Sequence, residues 1–209
     1  MATTTTTTPT PPPTIRTCGT MQVHERLMRS DPEYQRLRIA SENHHFEFRM
    51  RRGMLARTGV TRIPVVVHVV HKTAAQDISD AQIKSQIDVL NRDFRKTNSD
   101  LNRIPAPFKA LAADARIEFA LADKDPAGNP STGITRTATT KDSFLDTDDG
   151  VKDANSGGVN AWPRDNYLNI WVCQLGNNLL GYAQFPGGSA ATDGVVILHS
   201  AFGDRKSVV

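Results

Sequence analysis

The stretch from Ala161 to Phe202, AWPRDNYLNIWVCQLGNNLLGYAQFPGGSAATDGVVILHSAF, carries most of the information about the fold. It holds three short runs rich in β-branched, aromatic and aliphatic residues, separated by Gly, Asn and Pro: 167–175 (YLNIWVCQL), 180–185 (LGYAQF) and 194–198 (GVVIL). These runs predict three β-strands in quick succession. The last strand is apolar at four consecutive positions, so we expect both of its faces to be covered. No element that could cover it follows Phe202 in this sequence.

A β-α-β unit is predicted upstream of this stretch. The run 63–70 (IPVVVHVV) is typical of a buried central strand, and 116–122 (RIEFALA) alternates as a second strand does. Between them, Ser79 to Gln82 forms a capping box that opens a helix. The helix carries one apolar stripe, made of Ile83, Ile87, Leu90 and Phe94. A right-handed crossover is expected.

Several of these segments resemble one peptidase family. Gly157-Gly158, 161–163 (AWP), 167–173 (YLNIWVC), 179–188 (LLGYAQFPGG) and 192–197 (TDGVVI) resemble the pappalysin family of metzincin-type zinc metallopeptidases, in its cytophagalysin and ulilysin-like branch. The resemblance implies an α/β (α+β) fold with a zincin-like N-terminal subdomain. We therefore expect a twisted, mostly parallel sheet with an antiparallel edge strand and backing helices, preceded by a helical pro-segment.

The resemblance also implies a zinc ion, which the chain itself is not expected to bind. In the family an H-E-x-x-H helix follows shortly, whose two His bind Zn²⁺ and whose Glu is the general base. None of the six histidines fits that motif: His24, His44, His45, His68, His71 and His199. We predict a structural or solvent-facing role for each, no catalytic residue in the chain, and no peptidase activity of these 209 residues alone.

The N-terminal quarter divides into two segments. Residues 1–14 (MATTTTTTPTPPPT) predict a disordered leader, which has neither the basic nor the apolar region of a signal peptide. Residues 15–62 contain ten arginines and five acidic residues, whereas 63–203 contain 13 basic and 16 acidic residues. This complementarity favours a pro-segment, 15–62, lying on the front half of a catalytic domain, 63–203. The family resemblance implies secretion.

Partner classes follow from the same charges. The basic segment has no nucleic-acid recognition motif or aromatic stacking pattern, and no run of 18 apolar residues predicts a membrane span. We expect protein or peptide substrates, and neither nucleic acid nor membrane as a partner.

The motif Arg16-Thr17-Cys18-Gly19-Thr20 resembles the start of cytophagalysin pro-regions and, more loosely, a cysteine switch. The resemblance implies that the Cys18 thiolate is the zinc ligand of the latent zymogen and that Arg16 orients it. A disulfide between Cys18 and Cys173, the only two cysteines, is the alternative. Cys173 lies within a predicted strand, which favours a buried structural thiol or a partner of a cysteine outside this chain.

A single helix is predicted after the switch motif. Asp31 is its N-cap, Pro32 its first residue and Gly53 its end. The arginines that follow resemble a processing region, and a solvated helix end is an equally good interpretation: Arg49, Arg51, Arg52, Arg57 and Arg62.

The strand at 179–184 is the candidate substrate-binding edge. In metzincin-like enzymes this edge binds a peptide as an added antiparallel strand, and Gly181 would let the peptide backbone approach closely. The residues implied are Leu180, Gly181, Tyr182, Ala183 and Gln184. An ordinary edge strand, blunted by Pro186 and two glycines, is the alternative.

Two further segments are interpreted from composition. Asp146, Asp148 and Asp149 are typical of a solvated loop, and a calcium site is left open. Residues 204–209 (DRKSVV) match the in-frame translation of a common sequencing adapter, so we expect this tail to be non-native.

The sequence thus predicts the front half of a secreted zinc metalloendopeptidase zymogen, with a marginally stable fold. The alternative is a non-catalytic protein-binding or inhibitory module derived from such a peptidase.

Overall fold

We describe the protein from a computed structural model, which places residues 17–50 and 59–204. The leader 1–14, Arg16, the predicted helix end at Gly53, three linker arginines (Arg51, Arg52 and Arg57) and the tail beyond Asp204 lie outside the described residues. Predictions about them stay predictions.

Three α-helices and seven strands make up the described part, with short 3-10 helices in several connections. The helices are α1 (Thr20–Ser30), α2 (Pro32–Met50) and α3 (Asp80–Phe94). The strands are β1 (Thr17–Cys18), β2 (Thr61–His71), β3 (Ile117–Leu121), β4 (Ile134–Ala138), β5 (Leu168–Cys173), β6 (Leu179–Ala183) and β7 (Val195–Leu198). No described helix has the length and apolarity needed to cross a membrane.

All seven strands form one sheet in the order β1-β6-β7-β5-β2-β3. β4 continues the row of β3, because β3 pairs with the first half of β2 and β4 with the second half. Every pairing is parallel except that of β6 with β7. The predicted fold class is therefore confirmed, including the mostly parallel sheet and its antiparallel strand.

One face of the sheet is covered by α3. Ser79 caps this helix, since its Oγ accepts a hydrogen bond from the Gln82 N–H at 3.2 Å. The side chain of Gln82 does not complete the capping box; its Nε2 donates instead to the Phe202 carbonyl at 2.7 Å. Ile83 and Phe202 are fully buried on this face. They pack with Val65, Val67, Val69, Ile87, Phe119, Ile170 and Val172. We call this set the α3-face core.

The opposite face is covered by α1 and by the loop between β4 and β5. Its buried residues are Val23, Val70, Phe144, Val151, Trp171, Cys173, Leu175, Leu179, Tyr182 and Val196. We call this set the α1-face core. Val23 comes from α1 and is fully buried, so a residue of the N-terminal segment belongs to the same core as the central strands.

Helix α1 was not predicted, whereas α2 begins as expected. Asp31 Oδ1 accepts hydrogen bonds from the N–H groups of Glu33 and Tyr34, both at 3.0 Å. Gly19 precedes α1 and has no side chain to cap it, and the first turn of α1 carries no acidic residue. The helix therefore lacks a local start signal, and tertiary packing of Val23 stabilises it. Strand β4 was also missed.

Candidate functional site

The two-residue strand β1 occupies the edge of the sheet at β6. Thr17 pairs with Leu179 and Cys18 with Gly181, in parallel. Hydrogen bonds continue on both sides of these pairs: the Thr17 N–H donates to the Asn178 carbonyl at 3.1 Å, and the Gly19 N–H donates to the Gly181 carbonyl at 2.9 Å. The strand predicted to bind substrate is thus already paired with a segment of its own chain.

Thr20 extends this pairing with its side chain. The Ala183 N–H donates to Thr20 Oγ1 at 3.1 Å, and the same hydroxyl lies 3.2 Å from Cys18 Sγ. Cys18 is exposed. The Thr20 oxygen stands where an added strand would present a carbonyl to Ala183.

The two glycines of this contact have close neighbours of different kinds, a side-chain oxygen at Gly19 and a backbone oxygen at Gly181. A Cβ on Gly19 would lie 2.6 Å from Asp146 Oδ2, and a Cβ on Gly181 would lie 2.5 Å from the Val196 carbonyl oxygen. The neighbouring strand β7 therefore requires glycine at position 181, and the predicted close approach of a substrate backbone at the same residue stays a prediction.

The other side chains of β6 differ in burial. Tyr182 is 2% exposed, and Leu180 and Ala183 are half-buried. Gln184 lies just beyond the end of β6 and is buried; its Nε2 donates to the Ser189 carbonyl at 3.0 Å and its Oε1 accepts from the Thr192 hydroxyl at 2.8 Å. The side chains of Tyr182 and Gln184 thus lie inside the protein. A ligand at the edge of β6 would therefore bind mainly to its main-chain groups.

The acidic loop beside β6 contacts α1. Arg26 Nη2 donates to Asp149 Oδ2 at 2.7 Å and to the Asp146 carbonyl at 3.3 Å. Asp149 is 8% exposed and adopts a left-handed backbone conformation, with φ of 53°. For this residue the predicted solvated loop is wrong, because a buried carboxylate needs a charged partner and Arg26 provides one. This ion pair joins the basic N-terminal segment to the acidic remainder of the chain, in agreement with the predicted charge complementarity.

Lys152 completes the charge cluster and was missed by the sequence analysis. Its side chain is fully buried, its Nζ lies 2.9 Å from Asp149 Oδ1, and it donates to the Thr192 carbonyl at 2.8 Å. The ammonium also lies over the rings of Tyr182, at 5.0 Å, and Trp171, at 5.6 Å. Burial lowers the pKa of Lys152, and the Asp149 carboxylate opposes that shift. No signal in its sequence neighbourhood, GVKDA, distinguishes it from a surface lysine.

His68 belongs to a buried polar cluster on the same face as Trp171. Its Nε2 donates to Asn169 Oδ1 at 3.0 Å and its Nδ1 accepts from the Thr135 hydroxyl at 2.8 Å. The Asn169 amide is held in turn by the backbone of Trp162. Burial lowers the pKa of His68 to about 4, with Asn169 opposing the shift. His68 is structural, as predicted.

Both cysteines are free thiols. Cys18 is exposed at the sheet edge, whereas Cys173 is fully buried in the α1-face core. Burial raises the pKa of the Cys173 thiol. The structure therefore contains no disulfide between them, and Cys173 has the place of a structural thiol.

Three solved structures similar to this chain are of mirolysin or its precursor. Mirolysin in complex with a small compound is 54% identical, with a TM-score of 0.69, over 73% of this chain and 57% of that chain. A promirolysin point mutant from Tannerella forsythia is 45% identical, with a TM-score of 0.79, over 93% of this chain and 63% of that chain. Mature mirolysin from the same organism, in complex with a cleaved peptide, is 53% identical, with a TM-score of 0.70, over 73% and 58%.

Mirolysin is a pappalysin-family metzincin, of the cytophagalysin and ulilysin-like branch. The chain belongs to the pappalysin family. It spans 57–63% of the length of these relatives. Neither a protein-family model nor a curated protein sequence matches it.

A pappalysin-family metalloprotease holds zinc, so the described residues can be tested for a set of ligands. Residues 17–50 and 59–204 contain no group of three His, Cys, Asp or Glu side chains placed to hold a metal ion. These described residues therefore do not by themselves fit a zinc site. Cys18 remains the one residue that the resemblance implies as a ligand.

Proposed function

We propose that the chain is the N-terminal part of a secreted, zinc-dependent metalloendopeptidase zymogen, in which residues 15–62 are the pro-segment and 63–203 the front half of the catalytic domain. The pairing of β1 with β6 is the observation that carries the proposal. A zymogen must keep substrate from its cleft, and here the N-terminal segment occupies the strand on which a peptide substrate would lie.

The block acts through hydrogen-bonding groups that a substrate would need. A peptide added to β6 takes its affinity from main-chain N–H and C=O groups along the edge. The Gly181 carbonyl is engaged by Gly19 and the Ala183 N–H by Thr20. β1 runs parallel to β6, whereas substrate is expected to run antiparallel, so the segment occupies the edge in the direction opposite to substrate.

Two facts from the relatives support the zymogen interpretation. The match to promirolysin covers 93% of this chain and the match to mature mirolysin covers 73%. The difference, 93 − 73 = 20%, is close to the share of the chain that residues 15–62 represent. The mature relative was solved with a cleaved peptide, which supports peptides as the substrate class here.

Cys18 is proposed as the latency ligand of the zinc. Its exposure at the edge of the sheet leaves the thiol accessible to a metal held by residues outside the described ranges. Zinc-bound water would supply the nucleophile for peptide hydrolysis in the complete enzyme. Arg16 is proposed to orient the thiol. A calcium ion is not supported by any described group.

Sequencing the genomic locus past codon 203, then expressing its product, tests the proposal. We expect an H-E-x-x-H segment, about one Zn²⁺ per chain by atomic absorption, and proteolysis of casein only after the pro-segment is removed. The 209-residue chain, which we expect to have neither zinc nor activity, is the matched control. A genomic stop codon directly after DRKSVV, with neither zinc nor activity, would instead support the non-catalytic binding module.

A further inference from the structure

The N-terminal segment contacts the rest of the protein at three separate places. We call residues 17–50, which comprise β1, α1 and α2, the N-terminal arm. The arm pairs with β6, its α1 reaches Asp149, and both of its helices contact the loop after β6. In that loop Phe185 lies 5.3 Å from the His24 ring and 5.2 Å from the Arg38 guanidinium.

Burial within the arm is concentrated at two apolar side chains. Val23 and Tyr34 are both fully buried. Val23 joins the α1-face core, and the Tyr34 hydroxyl lies 2.8 Å from His24 Nδ1, which fixes α2 against α1. A ligand that buries such side chains binds through the hydrophobic effect and needs no covalent link.

Asp149 has one cationic neighbour from the sheet side and one from the arm. Asp149 uses Oδ1 for Lys152 and Oδ2 for Arg26. Because Lys152 is fully buried and holds one carboxylate oxygen, the other oxygen is positioned to accept an arginine. A preorganised receptor of this kind loses little entropy on binding. The Arg26 side chain is 31% exposed, against 11% for the Asp149 side chain.

The contacts named above all involve arm residues up to Arg38. Every residue of α2 from 39 to 50 is exposed. These include four large apolar side chains, Ile39, Phe46, Phe48 and Met50, which are 59–71% exposed. A cut anywhere after Arg38 would therefore remove none of the contacts named above.

We propose that the N-terminal arm is a non-covalent ligand of the sheet, which stays bound to β6 after the chain is cut between α2 and β2, and that Arg26 bound to Asp149 is its anchor outside the edge strand. A single cut in the basic linker would then leave β6 covered. Activation would need a second event that destroys or displaces the arm. Retention of the cut arm does not depend on the proposed function. Only the conclusion that the retained arm keeps the enzyme latent rests on that proposal.

The test uses the 209-residue chain with residues 51–58 replaced by the recognition sequence of a site-specific protease. After complete cutting, gel filtration at about 10 µM should return the arm and the sheet in one peak, as expected for a dissociation constant near or below about 1 µM. Arg26→Ala should weaken retention about 10- to 100-fold, because it leaves a buried carboxylate without its second cation.

Arg29→Ala is the matched control, since it removes an exposed arginine from the same helix and should leave retention unchanged. Loss of the wild-type arm during the column run overturns the proposal, as does equal retention of the wild-type and Arg26→Ala arms. Neither zinc nor activity enters the measurement, so its failure is distinct from failure of the proposed function.

Discussion

The two faces of the sheet are covered by elements of different kinds. On one face lies α3, which joins two neighbouring strands and is capped by Ser79. On the other lies α1, which belongs to the N-terminal arm and packs Val23 beside strands that begin some 140 residues later in the chain. Helix α3 is itself the connection between two strands of the sheet. Helix α1 belongs to the N-terminal arm, so it can detach without breaking a connection between strands.

The largest effect is expected at the α3-face core. Phe202→Ala should lower the free energy of unfolding by about 3–5 kcal/mol, because it opens a cavity at a fully buried aromatic residue. Urea unfolding followed by tryptophan fluorescence measures this. Phe108→Ala, at a residue that is 58% exposed, is the control. A loss under about 1 kcal/mol would show that the segment after β7 is not part of the core.

A charge introduced into the α1-face core should affect the arm and α3 differently. Val23→Asp buries an unpaired carboxylate, which costs about 3 kcal/mol or more, and we expect the arm to detach while α3 stays folded. In hydrogen exchange the amides of Gly19 and Ala183 should then lose protection, and those of α3 should keep it.

Met21→Asp, on the exposed side of the same helix, should change neither set of amides. If α3 loses protection together with the arm, the two faces form one cooperative unit, and the distinction between them is wrong.

The buried imidazole on the α1 face should make stability depend on pH. The pKa of His68 is about 4 in the folded chain, against the ordinary histidine value of 6.5 expected for the unfolded chain, so the unfolded chain binds more protons between these values. The contribution of His68 is therefore present above pH 6.5 and lost as the pH falls toward 4; at pH 5 the loss is about 2 kcal/mol.

Urea titrations of the wild-type chain and His68→Gln at pH 7 and pH 5 measure this loss as the difference between the two chains. His45→Gln, at an exposed position of α2, is the control. An identical pH response of the wild-type chain and His68→Gln would contradict the buried neutral imidazole.

The smallest effect is expected at the arm's side-chain contact with β6. Thr20→Val removes the acceptor of the Ala183 N–H and should weaken arm docking by about 1 kcal/mol, whereas Thr20→Ser should preserve it. Hydrogen exchange at Ala183 should accelerate about fivefold in the valine variant alone. Equal exchange in both variants would show that the hydroxyl does not contribute.

Elements with local signals were predicted well. Strand β2 was predicted from its β-branched run. Helix α3 was predicted from its Ser79 cap and its apolar stripe, which are also local features of the sequence. The three strands of the opening stretch were also found, with small shifts: β6 begins at Leu179 and ends at Ala183, one residue before the first expected position and two before the last.

The site was predicted in part. Strand β6 was predicted, and the charge balance indicated that the two segments attract each other. The substrate-binding role of β6 and the switch role of Cys18 stay predictions. That β1 lies on β6, and that Arg26 is the arginine that meets Asp149, could not be derived, because both contacts join residues more than 100 positions apart. Lys152 and α1 gave no local signal at all.

The sequence by itself determined the family, the strand and helix pattern and the identity of the groups that carry charge, because periodicity, capping residues and motifs act over a few positions. The tertiary structure alone decided which edge the N-terminal segment occupies, why Gly181 must be glycine and why a lysine can be buried. Those properties depend on van der Waals contact, desolvation and ion pairing between distant segments, which exist only once the sheet has formed.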